Sequence, residues 1–128
     1  MNKTAVSTPN APQPKGPYSQ GIVSNGLLFT SGFGPHDPIT GSLVGVTVAE
    51  QTVQTLRNLE AVLAERGLDL SDLVKATVHL QHLERDFAEF NQAYASLVPS
   101  PLPVRTTVGS NLLGILVEID FVVAERTA

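Results

Sequence analysis

Near its C-terminal end the chain alternates cleanly between two kinds of position. Over residues 115–124, Ile115, Val117, Ile119, Phe121 and Val123 make a wholly apolar set, and Leu116, Glu118, Asp120 and Val122 between them are mixed. A two-residue period of this kind is a strand with one buried face. Residues 74–80 repeat it, with Val74, Ala76, Val78 and Leu80 on one side and Lys75, Thr77 and His79 on the other. Strands are also expected at 22–24 and 27–31, flanking Asn25-Gly26, a pair that tolerates the positive φ values of a type I′ hairpin turn. Asp37-Pro38-Ile39-Thr40-Gly41 is turn chemistry leading to a short strand at 42–44, and residues 104–108 give one more.

Helical spacing fills two stretches between them. Thr47-Val48-Ala49-Glu50 has the form of a capping box, followed by Val53, Leu56, Leu59 or Glu60, and Leu63, with Gly67 placed to stop the helix. Asp86 with Glu89 opens a second helix carrying Phe87, Phe90, Tyr94 and Leu97, ended by Pro99, Pro101 and Pro103. The order β-β-β-α-β-α-β-β predicts an α+β fold, with two helices covering one face of a mostly antiparallel sheet. Leu116, Val122 and Leu28 are left over for the uncovered face and point to an oligomer.

Composition narrows the function without naming it. The 128 residues suit one domain, 1–128, whose polar, proline-bearing residues 1–12 read as a flexible arm. Apolar residues at 42% and charged ones at 16% are a globular mixture. A net charge of −4 with no run of Lys or Arg argues against nucleic acid as partner, because phosphate binding needs a basic stripe. Cysteine is absent, which removes disulfides, thiolate metal sites and a cysteine nucleophile. With no signal-peptide pattern and no apolar stretch of membrane length, the expectation is a soluble cytoplasmic protein without a membrane partner.

The chain has no Gly-rich phosphate loop, no glycosidase-type carboxylate pair and no G-x-S-x-G elbow. His79 and His82, three apart in a strand, would face opposite ways, so no metal site is expected from them, and His36 reads as a turn residue. Arg105, in Val104-Arg105-Thr106-Thr107-Val108, offers a planar fork that matches a carboxylate. Glu118 interrupts the most apolar strand, where desolvation favours holding a proton and suits acid–base work. Each lies opposite the apolar set of its own strand, so both could share the non-helical face. The plainer alternative is that Arg105 forms a structural ion pair with Glu118 or Asp120. Taken singly, Tyr18 could simply dock the arm, Ser31-Gly32 could end a strand, and Asn91 could be a solvated helix residue.

Taken in order, the pieces resemble one family. Gly16-Pro17-Tyr18-Ser19-Gln20, Ser31-Gly32 with Pro35, and Asp37-Pro38 through Gly41 are similar to the opening of the RidA/YjgF proteins. Glu50-Gln51-Thr52 with Gln54, Leu56 and Asn58 resembles that family's first helix. Val74-Lys75, Phe90-Asn91 with Tyr94, Pro103-x-Arg105 and Val117-Glu118-Ile119 continue the match, from about Ala11 to Ala124. The resemblance implies a chorismate-mutase-like α+β subunit assembled as a homotrimer with clefts between subunits. It further implies cofactor-free hydrolysis of 2-aminoacrylate and other imine or enamine acids to 2-oxo acids and ammonia. Carried over by position, Arg105 would hold the substrate carboxylate beside the Thr107 amide, and Glu118 would orient or activate the attacking water. Tyr18, Ser31, Gly32 and Asn91 would line the cleft, with no metal or organic cofactor.

Three positions depart from the family pattern. Thr107 stands where many members have cysteine, Phe33-Gly34 follows Ser31-Gly32 where glutamine is common, and the segment 110–114 is short and lacks the usual Leu-Pro. The last two border the implied cleft and bear on substrate preference. They leave room for a specialised catabolic deaminase of the family, acting on an aminomuconate-type substrate. A non-catalytic module sensing 2-oxo acids through Arg105 and an RNA-cleaving translation inhibitor are the alternatives from other classes. The acidic balance argues against the last.

Overall fold

The computed structural model describes residues 2–126. Six strands and two helices follow one another as β1 (Lys3–Val6), β2 (Gly21–Ser24), β3 (Leu27–Thr30), α1 (Val48–Ala64), β4 (Leu73–Leu80), α2 (Leu83–Leu97), β5 (Val104–Gly109) and β6 (Val117–Ala124). The strands form one sheet in the order β1-β2-β3-β6-β4-β5, antiparallel throughout except for the parallel pair β4–β5. That parallel pair requires a crossover, which α2 supplies. Both helices lie on one face, and the core between them and the sheet includes Leu56, Leu59, Leu63, Phe90, Val78, Ile119 and Phe121. The α+β expectation holds.

Local chemistry places the elements much as the pattern predicts. Asn25 and Gly26 take φ values of 52° and 75°, closing the β2–β3 hairpin. The Thr47 hydroxyl accepts from the Glu50 amide, and the Glu50 carboxylate accepts from the amides of Val46 and Thr47, so the capping box forms. After α1, Gly67 at φ 68° donates to the Ala64 carbonyl and Leu68 to the Leu63 carbonyl, the double closure of a Schellman motif. α2 begins at Leu83, ahead of Asp86, and Asp86 is instead buried in an ion pair with Arg85 at 2.8 Å.

Four expectations are corrected. The arm is not loose. Lys3–Val6 pair with β2, and Val6, Thr8 and Ala11 are buried. Gln20 holds this segment in place: its Oε1 accepts from the Thr8 amide at 2.7 Å, and its Nε2 donates to the carbonyls of Thr8, Ala11 and Pro12. Residues 42–44 form no strand. Leu43 makes only an isolated bridge to His36, because Asp37 Oδ1 accepts from Ile39 and Thr40 and curls the chain into a turn. In β4 a register irregularity between Leu73 and Lys75 buries Leu73 and leaves Val74 exposed. Leu28 faces the core opposite Val123, so the apolar residues of the open face here are Phe29 and its partner Val122.

Candidate active site

Glu118 belongs to β6, where the inward positions Val117 and Ile119 are fully buried, so its side chain emerges on the open face of the sheet. Beside it, Phe33 exchanges two backbone hydrogen bonds with Ile119, at 2.8 and 3.0 Å, drawing residues 31–33 along β6. Gly32 therefore lies flat against Glu118. A Cβ on Gly32 would sit 2.9 Å from both the carboxylate carbon and Oε2 of Glu118. The carboxylate forms part of the wall of a cleft of about 820 Å³ that also takes in Tyr18, Ser31, Gly32, Lys15 and His36. The segment before β2, the 37–41 turn and the 110–114 loop enclose it.

Backbone constraints fix these walls. The Ser31 amide donates to the Gln20 carbonyl at 3.0 Å, and Thr30 Oγ1 accepts from the Phe121 amide at 2.9 Å. The Tyr18 hydroxyl accepts from the Lys15 amide at 3.3 Å. The Leu112 amide donates to Gln81 Oε1 at 2.7 Å, and Ser110 Oγ lies 2.7 Å from His79 Nδ1, so the 110–114 loop is tied to the end of β4. Burial, helped by the charge of Lys15, keeps the His36 pKa below its ordinary value. The amides of Thr40 and Ile39 hold the Asp37 carboxyl below its ordinary range.

Arg105 lies elsewhere. Its register partner in β4 is Ala76, which is fully buried beneath the helices, so Arg105 projects to the helical face. There α2 presents Phe87, Phe90, Asn91 and Tyr94 at helical spacing. The guanidinium carbon stands 4.8 Å from the Tyr94 ring centre, 5.2 Å from Phe90 and 6.0 Å from Phe87, and Nη2 donates to Asn91 Oδ1 at 2.7 Å. Thr107, two residues on, shares that side of β5, opposite Val78. Burial raises the Tyr94 pKa, partly offset by Arg105.

The seven sequence-predicted residues thus fall into two groups: Tyr18, Ser31, Gly32 and Glu118 in the cleft, and Asn91, Arg105 and Thr107 at the β5 edge over α2. The expectation that Arg105 and Glu118 share the open face is incorrect within one chain. It took Val104 and Val108 as the inward set of β5, whereas both are exposed on the open face of this edge strand. The alternative ion pair is absent too: among the described residues, neither Arg105 nor Glu118 makes a salt bridge. His79 and Asp120 share the open face with Glu118, and burial raises the Asp120 pKa despite nearby His79 and Lys75. His82 stands at the N-cap position of α2 without a side-chain capping bond, and it joins no metal-binding cluster among the described residues. Sequence reasoning took Gln20 only as part of the Gly16–Gln20 motif, and it overlooked Lys15 and the cleft position of His36. Only Lys15 carried a signal, as a cation beside the Gly16-Pro17-Tyr18 segment.

Comparison with known proteins shows the family. The family model described as Endoribonuclease L-PSP matches residues 8–125. A RutC family protein of Pyrococcus horikoshii is 40% identical over 120 residues, covering 92% of this chain and 94% of its own. The chloroplastic Reactive Intermediate Deaminase A of Arabidopsis thaliana is 43% identical over 107 residues, covering 84% of this chain and 57% of its own. The crystal structure of the yjgF gene product of E. coli superposes with a TM-score of 0.88 at 34% identity, over 96% of this chain and 99% of that one. By sequence along nearly its whole length, and by fold, the chain belongs to the RidA/YjgF family.

Proposed function

We propose that this protein hydrolyses 2-imino and enamine acids, such as 2-aminoacrylate, to 2-oxo acids and ammonia, at sites completed between copies of the chain in a homotrimer. The observation that carries the reading is an arginine that is organised but unneutralised. Arg105 is held over three aromatic rings and by Asn91, with no carboxylate partner among the described residues. A guanidinium so oriented has its remaining donors available for the carboxylate of a ligand. Glu118, likewise without an ion-pair partner, faces its own cleft. Since one chain turns these groups to opposite faces, the two halves meet only if a second copy brings its β5 edge to the cleft. The exposed apolar residues Phe29, Val104 and Val108 on the open face favour such a contact.

The chemistry asks little beyond position and proton transfer. An enamine is first protonated on carbon and loses a proton from nitrogen, giving the imine R–C(=NH)–COO⁻. Water then adds to the imine carbon while Glu118 takes its proton, and the nitrogen is protonated. The amino group of the tetrahedral carbinolamine then takes the proton held by Glu118, the hydroxyl proton leaves to solvent, the C–N bond breaks, and 2-oxo acid and ammonia result. Arg105 with the Thr107 amide fixes the carboxylate, and Tyr18, Ser31, Gly32 and Asn91 shape the site. Holding imine and water in reacting geometry can remove several kcal/mol, up to about 7–11, from the barrier.

The test is ammonia release, or loss of semicarbazide-trapped imine, when an amino-acid oxidase or dehydratase supplies the imine. Acceleration by wild type that disappears in Arg105→Ala supports the reading. No acceleration across small, apolar and acidic imines defeats it, and tight 2-oxo-acid binding without turnover would leave a sensing module. The endoribonuclease of the family model's description is the competing activity, and with a net charge of −4 we expect no RNA affinity at physiological salt.

A further inference from the structure

The cleft is larger than a three-carbon imine needs. At about 820 Å³ it lies in the upper part of the range, about 300–1,000 Å³, in which pockets enclose drug-sized ligands. Two large aliphatic side chains stand on its rim. Leu113, 99% exposed, stands on the 110–114 loop, and Ile39, 91% exposed, on the 37–41 turn. Single exposed aliphatic side chains are common on proteins. Two on separate loops around one cleft, each loop pinned by hydrogen bonds, form a preset apolar collar. Behind them Pro12, Pro38 and Ile115 continue the same lining.

The charges of the cleft point the same way. Glu118 and Asp37 are its acids, and two amide donors keep Asp37 ionised. Against them stands Lys15, since burial and Lys15 itself favour neutral His36. With the imine carbon at Glu118, a second carboxylate at the ligand's far end would meet Asp37 and Lys15, whose charges offset, and would gain no net attraction there. An apolar end would meet Leu113 and Ile39 and withdraw them from water.

We infer that the imino acids this cleft takes carry bulky apolar side chains, branched, thioether or aromatic, which lie along the Leu113–Ile39 rim while the imine carbon sits at Glu118. This rests on the deaminase reading for the reaction, but not for the side-chain preference. One methylene in an apolar pocket discriminates by roughly 10–200-fold, so kcat/KM for leucine- and phenylalanine-derived imines should exceed that for the alanine-derived imine by at least about 10-fold. In Leu113→Ser and Ile39→Ser, whose exposure leaves folding undisturbed, that ratio should fall severalfold. Calorimetric binding of pyruvate, 4-methyl-2-oxopentanoate, phenylpyruvate and 2-oxoglutarate gives the same order without turnover. Equal or better use of the alanine- or glutamate-derived imine, or a ratio unmoved in both variants, overturns the inference. If no imine turns over, the deaminase reading falls, and the order of 2-oxo-acid affinities alone decides the side-chain preference.

Discussion

Gly32→Ala separates the role of the Glu118 carboxylate from that of the fold. The new methyl carbon would lie 2.9 Å from Cδ and Oε2 of Glu118 and 3.1 Å from its Cγ. Ordinary contact begins near 3.4 Å, so the carboxylate must retreat by about 0.5 Å. The β6 backbone cannot absorb this, because Glu118 is laddered to His79 on one side and Phe33 bridges Ile119 on the other. The side chain rotates instead, at an off-rotamer cost of about 0.5–1.5 kcal/mol. For a chain of this size that is a Tm loss of only about 2–6 °C. Catalysis is less forgiving: about 1 Å of misplacement costs on the order of 10²-fold, so kcat should fall roughly 10- to 100-fold with KM little changed. The assay is steady-state ammonia release beside a thermal melt. Wild-type kcat in Gly32→Ala, or a melt so lowered that the loss is one of folding, would refute the idea that this glycine sets the carboxylate.

Two further perturbations probe the frame of the cleft. Gln20→Ala strands the buried Thr8 amide and removes the donor to three carbonyls, so we expect a loss of about 2–4 kcal/mol in chemical denaturation, detaching β1 and loosening the Tyr18 segment. Unchanged stability would mean that this segment is held by other contacts. Asp120, whose pKa burial raises above 3.8, holds its proton more tightly folded than unfolded. Its protonated form stabilises the fold at low pH, and that stability is lost as pH rises through the raised folded value. Asp120→Asn should therefore be more stable than wild type at pH 7, with the advantage vanishing below pH 3.8. A wild-type advantage at pH 7 would reverse the sign.

Most of the fold was legible because its periodicities are strong. The inward set of β6, the Asn25-Gly26 turn and the Thr47–Glu50 box are local signals that the tertiary structure obeys. What escaped was non-local. β1 is four residues long with only Val6 buried, and Gln20, fourteen residues after Val6, is what anchors the segment. The face of Arg105 depends on β5 being a parallel edge strand. Alternation within Val104–Val108 gives the two sides but not which one the helices cover. Arg105 and Glu118 were found by residue type and by resemblance, and their separation could only come from the sheet register.

The central claim is that Arg105 of one copy works with Glu118 of another. Arg105→Ala and Glu118→Gln proteins, each inactive alone, can be unfolded together and refolded as a mixture, and ammonia release measured against the separate refolds. In a cyclic assembly, a site draws an intact Arg105 and an intact Glu118 from different parents with a chance of about one quarter, so the mixture should recover about 25% of the wild-type rate. A mixture as inactive as its parents, at a protein concentration where assemblies form, would contradict the shared site.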